Sequence, residues 1–340
     1  MALAERDRLT DAAAGLLAGV ALGDTLGMPS EFLSRAVIQE WYGVIDAPRQ
    51  ADARHPHHRL PAGSVTDDTD HTLLLARLLL GHGAIRPGDL AAALRAWSET
   101  PRVAENNFVG PSTRKVLNSL QAGVPLDQLP RHGTSVGAAM RTGALAIALP
   151  DRDRLTEQVV ASCAVTHYTR NAISGALAMA FGQAAALRPG ATPADVLAAM
   201  QAGAVRGRDF GDWCWAPPIE QRIAFVRDYA AAHPPPAVLD LLADIIGVDL
   251  YPEQLVPAAA GLLLLANGQP MPAMRLAANL GGDTDTLACM VGSLCGALSG
   301  LAGFDQAWIA QVEHVNHLDL RNLISELVAF RVAIERPALD

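Results

Sequence analysis

Lysine is almost missing from this 340-residue sequence: Lys115 stands alone, and acidic residues outnumber basic ones 35 to 26, for a net charge of -9. A surface that tracks a phosphate backbone needs clustered Lys and Arg, so nucleic acid is not the expected partner. Aromatic residues make up only 5% of the chain while hydrophobic ones reach 50%. A core of Ala, Leu, Val and Ile with few rings suits closely packed helices, so the composition leans all-α. Cysteine is scarce too. Cys163, Cys214, Cys289 and Cys295 include no CxxC pair, which favours reduced core thiols over a zinc site or a disulfide. No long Gly/Ser linker or low-complexity run marks a domain boundary. The start, MALAERDRLT, carries charge where a signal peptide needs an apolar core, and apolar stretches such as 261–266 are too short to cross a bilayer. The expectation is a soluble, cytoplasmic protein with no membrane partner.

What is present is helical periodicity. Apolar residues recur at helix spacing over 12–26, 69–80, 87–99, 112–121, 137–148, 156–164, 169–187, 193–203, 217–231, 255–267, 271–278, 286–299 and 306–335. No comparable run alternates with period two, and Pro101, Gly110-Pro111, Pro150, Pro234 to Pro236 and Pro270 fall where helices should end. These signals predict an all-α fold, a single compact multi-helix domain. Residues 41–64, with Arg54, His55, His57, His58 and Arg59, have no periodicity and read as a mobile surface loop whose histidines are solvated. Trp213 and Trp215 lie in a loop at 209–218, where they either stack a base or anchor the loop.

Two segments share one construction: Thr66-Asp67-Asp68-Thr69-Asp70 and Gly281-Gly282-Asp283-Thr284-Asp285-Thr286, each at the mouth of an apolar helix. Asp and Thr are favoured helix caps, and first-turn carboxylates complement the helix dipole. A cap needs one acceptor, however, and these motifs supply five carboxylates: Asp67, Asp68, Asp70, Asp283 and Asp285. If the two helix starts meet, such crowding needs cations. The all-oxygen ligand set argues for Mg2+, Mn2+ or Ca2+ over zinc. A third acidic segment, Gly23 to Glu31 (GDTLGMPSE), ends the first apolar helix, where Gly27 and Pro29 stop it and present Glu31.

In the order GDTLGMPSE, TDDTD, NNFVGPST, GTSVGAAMR, THYTRNAISGA and NLGGDTDT, these motifs resemble those of the ADP-ribosylglycohydrolase family over residues 15–300. The likeness is to compact bacterial members without long insertions. It implies an all-α hydrolase with a dinuclear metal site in a central cleft. Two Mg2+ ions, or Mn2+, would be held by Thr66, Asp67 and Asp68 and by Asp283, Asp285 and Thr286. The family's acid/base glutamate falls on Glu31, and Asp68 joins it as the second residue assigned to catalysis. The substrate loop falls on Gly133 to Gly137, so on Ser135, Val136 and Gly137, with Met140 and Arg141 following. The family's characteristic histidine falls on His167, and Asn107 and Gly110 belong to a segment that approaches the ribose.

Ribosyl cleavage develops positive charge at the anomeric carbon and negative charge on the leaving group, so a carboxyl group beside the bond helps both changes. Cations at the ribose diol would fix its position, and a glycine-containing loop ahead of a helix offers N–H groups to phosphate. The expected partner is therefore an ADP-ribosylated protein or an ADP-ribose derivative. A nucleoside or other small ribosylated metabolite is the alternative, and a non-catalytic, metal-stabilised nucleotide binder the third reading.

Overall fold

The computed structural model describes residues 3–106 and 108–335, and among them seventeen α-helices account for most of the chain. No strand forms among these residues. Extended backbone pairs only at isolated bridges, Leu33 with Gly282, His132 with His167 and Thr169 with Asp212. Helix Leu3–Gly27 is buried along most of its length and runs through one contiguous core dominated by Ala, Leu, Val and Ile. By length and composition this helix could span a bilayer, contrary to the reading that every apolar stretch is too short. Here its apolar window is enclosed by the other helices.

The helix packed most intimately against it is Thr284–Ser299, and glycine explains the contact. Gly15, Gly19, Gly23 and Gly27 fall every four residues on one face of the first helix. A Cβ on Gly15 would overlap the Gly296 carbonyl, one on Gly19 that of Gly292, one on Gly23 that of Ala288, and one on Gly27 that of Thr284. Partner numbers fall as the first helix's numbers rise, so the two helices are antiparallel. Removing side chains from the seam lets the backbones touch, as in small-xxx-small packing elsewhere. One consequence concerns function: the C-terminal end of the first helix, where Asp24 and Glu31 lie, is fixed beside the N-terminal end of the second, where Asp283 and Asp285 lie.

Helix Asp67–His82 packs against both, so the two aspartate-rich starts converge in space. Helices Arg35–Tyr42, Pro101–Asn106 and Pro235–Asp240, the last running on as a π-turn at Leu241–Ile246, have no counterpart in the expected periodicity, and three expected segments take another form. The expected helix 306–335 is broken at His317, whose left-handed backbone (φ 54°) caps Gln306–Asn316 before Leu320–Glu335 begins. The apolar run 137–148 is a three-residue 3-10 turn at Val136–Ala138 and a short helix, Gly143–Ala148, interrupted where Met140 faces the site and Arg141 turns into the core. Of residues 41–64, expected as a loop, Trp41 and Tyr42 close helix Arg35–Tyr42, and 43–64 lacks helix but is not a solvated loop. It lies on a second apolar cluster of Met28, Ala51, Leu60, Val103 and Phe108, with His55 and His57 buried. Cys163, Cys289 and Cys295 are buried free thiols, whereas Cys214, expected in the core with them, is only half-buried.

Candidate active site

Thr66 and Asp283 sit at the N-cap positions of their helices, and neither makes a side-chain cap bond; in the second motif Asp285 Oδ1 accepts the Thr286 N–H at 2.9 Å. The cap of helix Asp67–His82 comes from Asp24 instead. Its carboxylate accepts the Thr66 N–H and Thr69 N–H at 3.0 and 3.1 Å and the Thr66 and Thr69 hydroxyls at 2.8 and 2.6 Å. An acceptor borrowed from another helix satisfies the orphan N–H groups and leaves Asp67 and Asp68 free to face the second motif.

The two motifs then touch. Thr66 Oγ1 lies 3.4 Å from carboxylate oxygens of Asp68 and Asp285, and Thr286 Oγ1 lies 3.4 Å from Asp68 Oδ2. Carboxylate oxygens of Asp24, Asp68 and Asp285 fall within 4.8 Å of one another, as do those of Glu31, Asp283 and Asp285. Asp68 Oδ1 and Asp283 Oδ2 are buried without a hydrogen-bond partner. Burial first, and then mutual repulsion, holds Asp67, Asp68 and Asp285 well above the usual carboxylate range. Burial also raises Asp283 to about 7 and Asp24 to about 6, the hydrogen bonds to Asp24 opposing its rise. Hard, crowded carboxylate oxygens, of which Asp68 Oδ1 and Asp283 Oδ2 are buried without a donor, fit divalent cations of the Mg2+ type.

Asp70 does not belong to this group. It accepts from Trp97 Nε1 at 2.8 Å and pairs with Arg102, an ion pair that ties the helix start to a neighbouring segment. The fifth carboxylate of the cluster is thus Asp24, not Asp70.

Gly281 and Gly282, with φ of 87° and 75°, set the approach to the second motif. Between them they let the chain bond both ways to the segment after Glu31, through Phe32 N–H to Gly282 O at 2.6 Å and Gly282 N–H to Leu33 O at 3.0 Å. This bridge places Glu31 at the rim of the acidic cluster. From the 43–64 segment, His57 Nε2 meets Glu31 Oε2 at 2.6 Å, and His55 Nε2 meets the Glu31 carbonyl at 2.9 Å. The reading of these histidines as solvated is therefore corrected: Pro, Gly and charged neighbours suggest a surface loop, but the loop folds inward onto Glu31.

Above the cluster lies a cleft of about 240 Å3, lined by Glu31, Asp67, Asp283, Asp285 and Thr286 on one side and by Ser135, Val136, Gly137, Met140 and His167 on another. Gly110 lines a third side, next to Phe108 and Arg114, while Asn107 falls outside the described residues. A side chain at Gly137 would press on the His167 ring at 3.1 Å, so glycine there admits the histidine to the cleft wall. His167 bonds Ser135 Oγ at 2.9 Å and Thr166 Oγ1 at 2.7 Å, and burial holds it well below its usual pKa, as a neutral ring. Capping of the following helix falls to Thr169.

Two expectations about the 133–141 loop fail. No α-helix starts at Gly137, so its N–H groups carry only a three-residue turn behind them, and the Val136 N–H is already used on Leu250 O at 2.7 Å. Arg141 does not reach the cleft: it is 0% exposed and donates to Ser162 O and Thr166 Oγ1. Beneath the cluster, its guanidinium acts as a fixed positive charge near Asp67. Trp213 and Trp215 are 68% and 90% exposed, so they anchor nothing, and Trp213 lines a different cavity.

Comparison with known proteins agrees with this architecture. Residues 5–336 match the ADP-ribosylglycohydrolase family. The chain is 31% identical to "Uncharacterized protein YegU" of Escherichia coli (strain K12), over 95% of this chain and 98% of that one. It is 23% identical to the ADP-ribosyl-[dinitrogen reductase] glycohydrolase of Rhodospirillum rubrum, over 94% and 96% of the two chains. A solved structure titled "ADP-ribosylglycohydrolase-related protein complex" superposes with a TM-score of 0.71 at 26% identity, covering 96% of this chain and 99% of that one. With an all-helical fold, an acidic cluster at two converging helix starts and a family match along nearly its whole length, this chain belongs to the ADP-ribosylglycohydrolases, hydrolases that act on glycosidic bonds.

Proposed function

We propose that this protein is a Mg2+-dependent glycohydrolase that cleaves the ribosyl bond of an ADP-ribosylated substrate or ADP-ribose derivative. The observation that carries the reading is the convergence of Asp68 with Asp283 and Asp285, over two hundred positions apart in sequence, with one buried oxygen of Asp68 and one of Asp283 that have no donor. Thr66, Asp67, Asp68, Asp283, Asp285 and Thr286 would hold two ions. Bound there, Mg2+ supplies Lewis acidity and positive charge to the ribose hydroxyls. The residues of the chain do the rest. Ser135, Gly137, Met140 and His167 form the opposite wall and hold the ribose against the cluster, so that the reacting atoms meet in one orientation. Hydrolysis breaks the bond from the anomeric carbon to the leaving atom, gives the carbon a hydroxyl from water, and gives the leaving atom a proton. Glu31, at the rim of the cluster, carries that proton. Asp68 acts by fixing charge beneath the sugar.

A second reading, hydrolysis of a nucleoside-sized metabolite, is favoured by the cleft itself. At about 240 Å3 it is small, and Arg114 is the one cationic side chain among its described lining residues, so a diphosphate finds a single guanidinium. The deciding experiment measures turnover of ADP-ribosyl-arginine, O-acetyl-ADP-ribose and simple nucleosides in Mg2+, with and without chelator. Cleavage of an ADP-ribosyl substrate that stops on chelation is expected. Cleavage of nucleosides alone transfers the proposal to the second reading, and full activity after exhaustive chelation ends both.

A further inference from the structure

Loop 43–64 is built to reach one residue. Its turns close on themselves, His55 N–H to Asp52 O at 2.8 Å and Leu60 N–H to His57 O at 3.0 Å, and Gln50 Nε2 bonds His58 O at 2.7 Å. Tyr42 pins its start, donating to Pro29 O and accepting the Asp52 N–H, both at 2.8 Å. Leu60, Ala51 and Phe108 then bury it from below, the Phe108 ring 5.9 Å from that of His57. Burying two imidazoles costs free energy unless their polar atoms are used. Both are used on Glu31.

The hydrogen bonds fix which way the protons point. The His57 N–H is donated to His55 Nδ1 at 3.2 Å, so Nδ1 of His55 is an acceptor and its proton sits on Nε2, which donates to the Glu31 carbonyl. His57 Nδ1 is buried with no partner. A bare N–H there would be an orphaned donor, more costly than an orphaned lone pair, so the proton of His57 belongs on Nε2, facing Glu31 Oε2. One histidine thus holds the backbone of Glu31, and the other holds its carboxylate.

Resting on the reading that Glu31 handles the proton in hydrolysis, we infer that His57 is a positioning residue for this reaction, with His55 as its support. His57 donates Nε2–H to one oxygen of Glu31 and leaves the other to face the cleft. A glutamate at the end of a 3-10 turn would otherwise sample several rotamers, and the clamp removes that freedom before substrate arrives.

The test has two arms on the full-length protein in Mg2+. Long-range 15N NMR of the histidine rings is expected to show His57 protonated on Nε2 alone, with that proton's hydrogen-bond shift lost in Glu31→Ala. A ring protonated on Nδ1, or a signal indifferent to Glu31, overturns the inference without reference to any substrate. The second arm measures kcat and KM on ADP-ribosyl-arginine. His57→Ala is expected to lower kcat by about 10- to 100-fold with KM and Mg2+ affinity little changed, and His57→Gln, which keeps an N–H donor, to recover much of the loss. On a Glu31→Gln background, His57→Ala should cost less than about twofold more, because the two act as one unit. A loss that multiplies fully with Glu31→Gln, or wild-type kcat in folded His57→Ala, overturns it. A Glu31→Gln enzyme with unimpaired turnover instead removes the reading of Glu31 on which this inference rests.

Discussion

At the scale of single residues, the site is a problem of charge. Asp24, Asp68, Asp283 and Asp285 are close together and removed from water, half-buried Asp67 lies beside them at the cleft, and Arg141 is the fixed cation they share the interior with. Metal-free, the cluster must hold protons that an unfolded chain would release. Unfolded carboxyls titrate near pH 4, whereas here Asp283 is raised to about 7 and Asp67, Asp68 and Asp285 stand well above the usual range. The fold therefore binds more protons than the unfolded chain, and the stability this supplies is full at low pH and lost as pH rises through the folded values. Buried His55, His71 and His167, all shifted down by desolvation, work in the opposite sense at lower pH. Above about pH 7 they are neutral in both states, and the carboxyls set the slope until the unfolded chain's cysteines begin to ionise at about pH 8.5, where buried Cys163, Cys289 and Cys295, their thiols also raised by burial, add to it. Chelated protein is expected to lose melting temperature as pH rises from about 7 toward about 8, and saturating Mg2+ to flatten that dependence. A chelated melting temperature that rises across this window contradicts the crowding. Sequence spacing pointed to five carboxylates but chose Asp70 where the fold uses Asp24. Both are aspartates near a helix end, and only the long-range contact to Thr66 and Thr69 tells them apart.

At the scale of elements, the antiparallel seam between Leu3–Gly27 and Thr284–Ser299 turns local sequence into a site. Its signal was in the chain, as Gly15, Gly19, Gly23 and Gly27 at period four, but ordinary periodicity counts apolar bulk and reads such glycines as weak points of a helix. Gly19→Ala is expected to cost about 3 kcal/mol or more, because the new methyl meets a backbone carbonyl that no rotamer change can move. It should also weaken Mg2+ binding, since pushing the helices apart separates Asp24 and Glu31 from Asp285. Gly81→Ala is the matched control. Gly81 lies in helix Asp67–His82 with nothing near its missing Cβ, so alanine there should stabilise by about 0.5 kcal/mol through helix propensity. Thermal melts and Mg2+ calorimetry on the two variants decide the matter; equal effects would mean that the seam is not special. The histidine clamp was illegible for a different reason: loop 43–64 has no period, and burial of a polar residue by distant partners leaves no trace in the spacing of its neighbours.

At the scale of the whole molecule, most helices were readable from period and punctuation, the short ones at Arg35–Tyr42, Pro101–Asn106 and Pro235–Asp240 excepted, while their meeting was readable only through resemblance. Residues 24, 66–69 and 283–286 come from three parts of the chain, and the proposed cation site forms only when all three are in place. Metal binding is then folding energy for the entire fold, because the unfolded chain has no comparable cluster. At a Mg2+ concentration of one hundred times Kd, linkage contributes about 2.7 kcal/mol, enough to raise the melting temperature by several degrees. Asp285→Asn should abolish this Mg2+-induced rise, for Asp285 belongs to both oxygen clusters. Asp70→Asn should melt lower than the native chain, having lost its pairing with Arg102, and yet keep the full rise, because its carboxylate faces Trp97 and not the cations. Motif composition alone gives the two aspartates equal claims, so the contrast tests the geometry: a Mg2+-induced rise that disappears with Asp70→Asn and survives Asp285→Asn would reverse the assignment of the site.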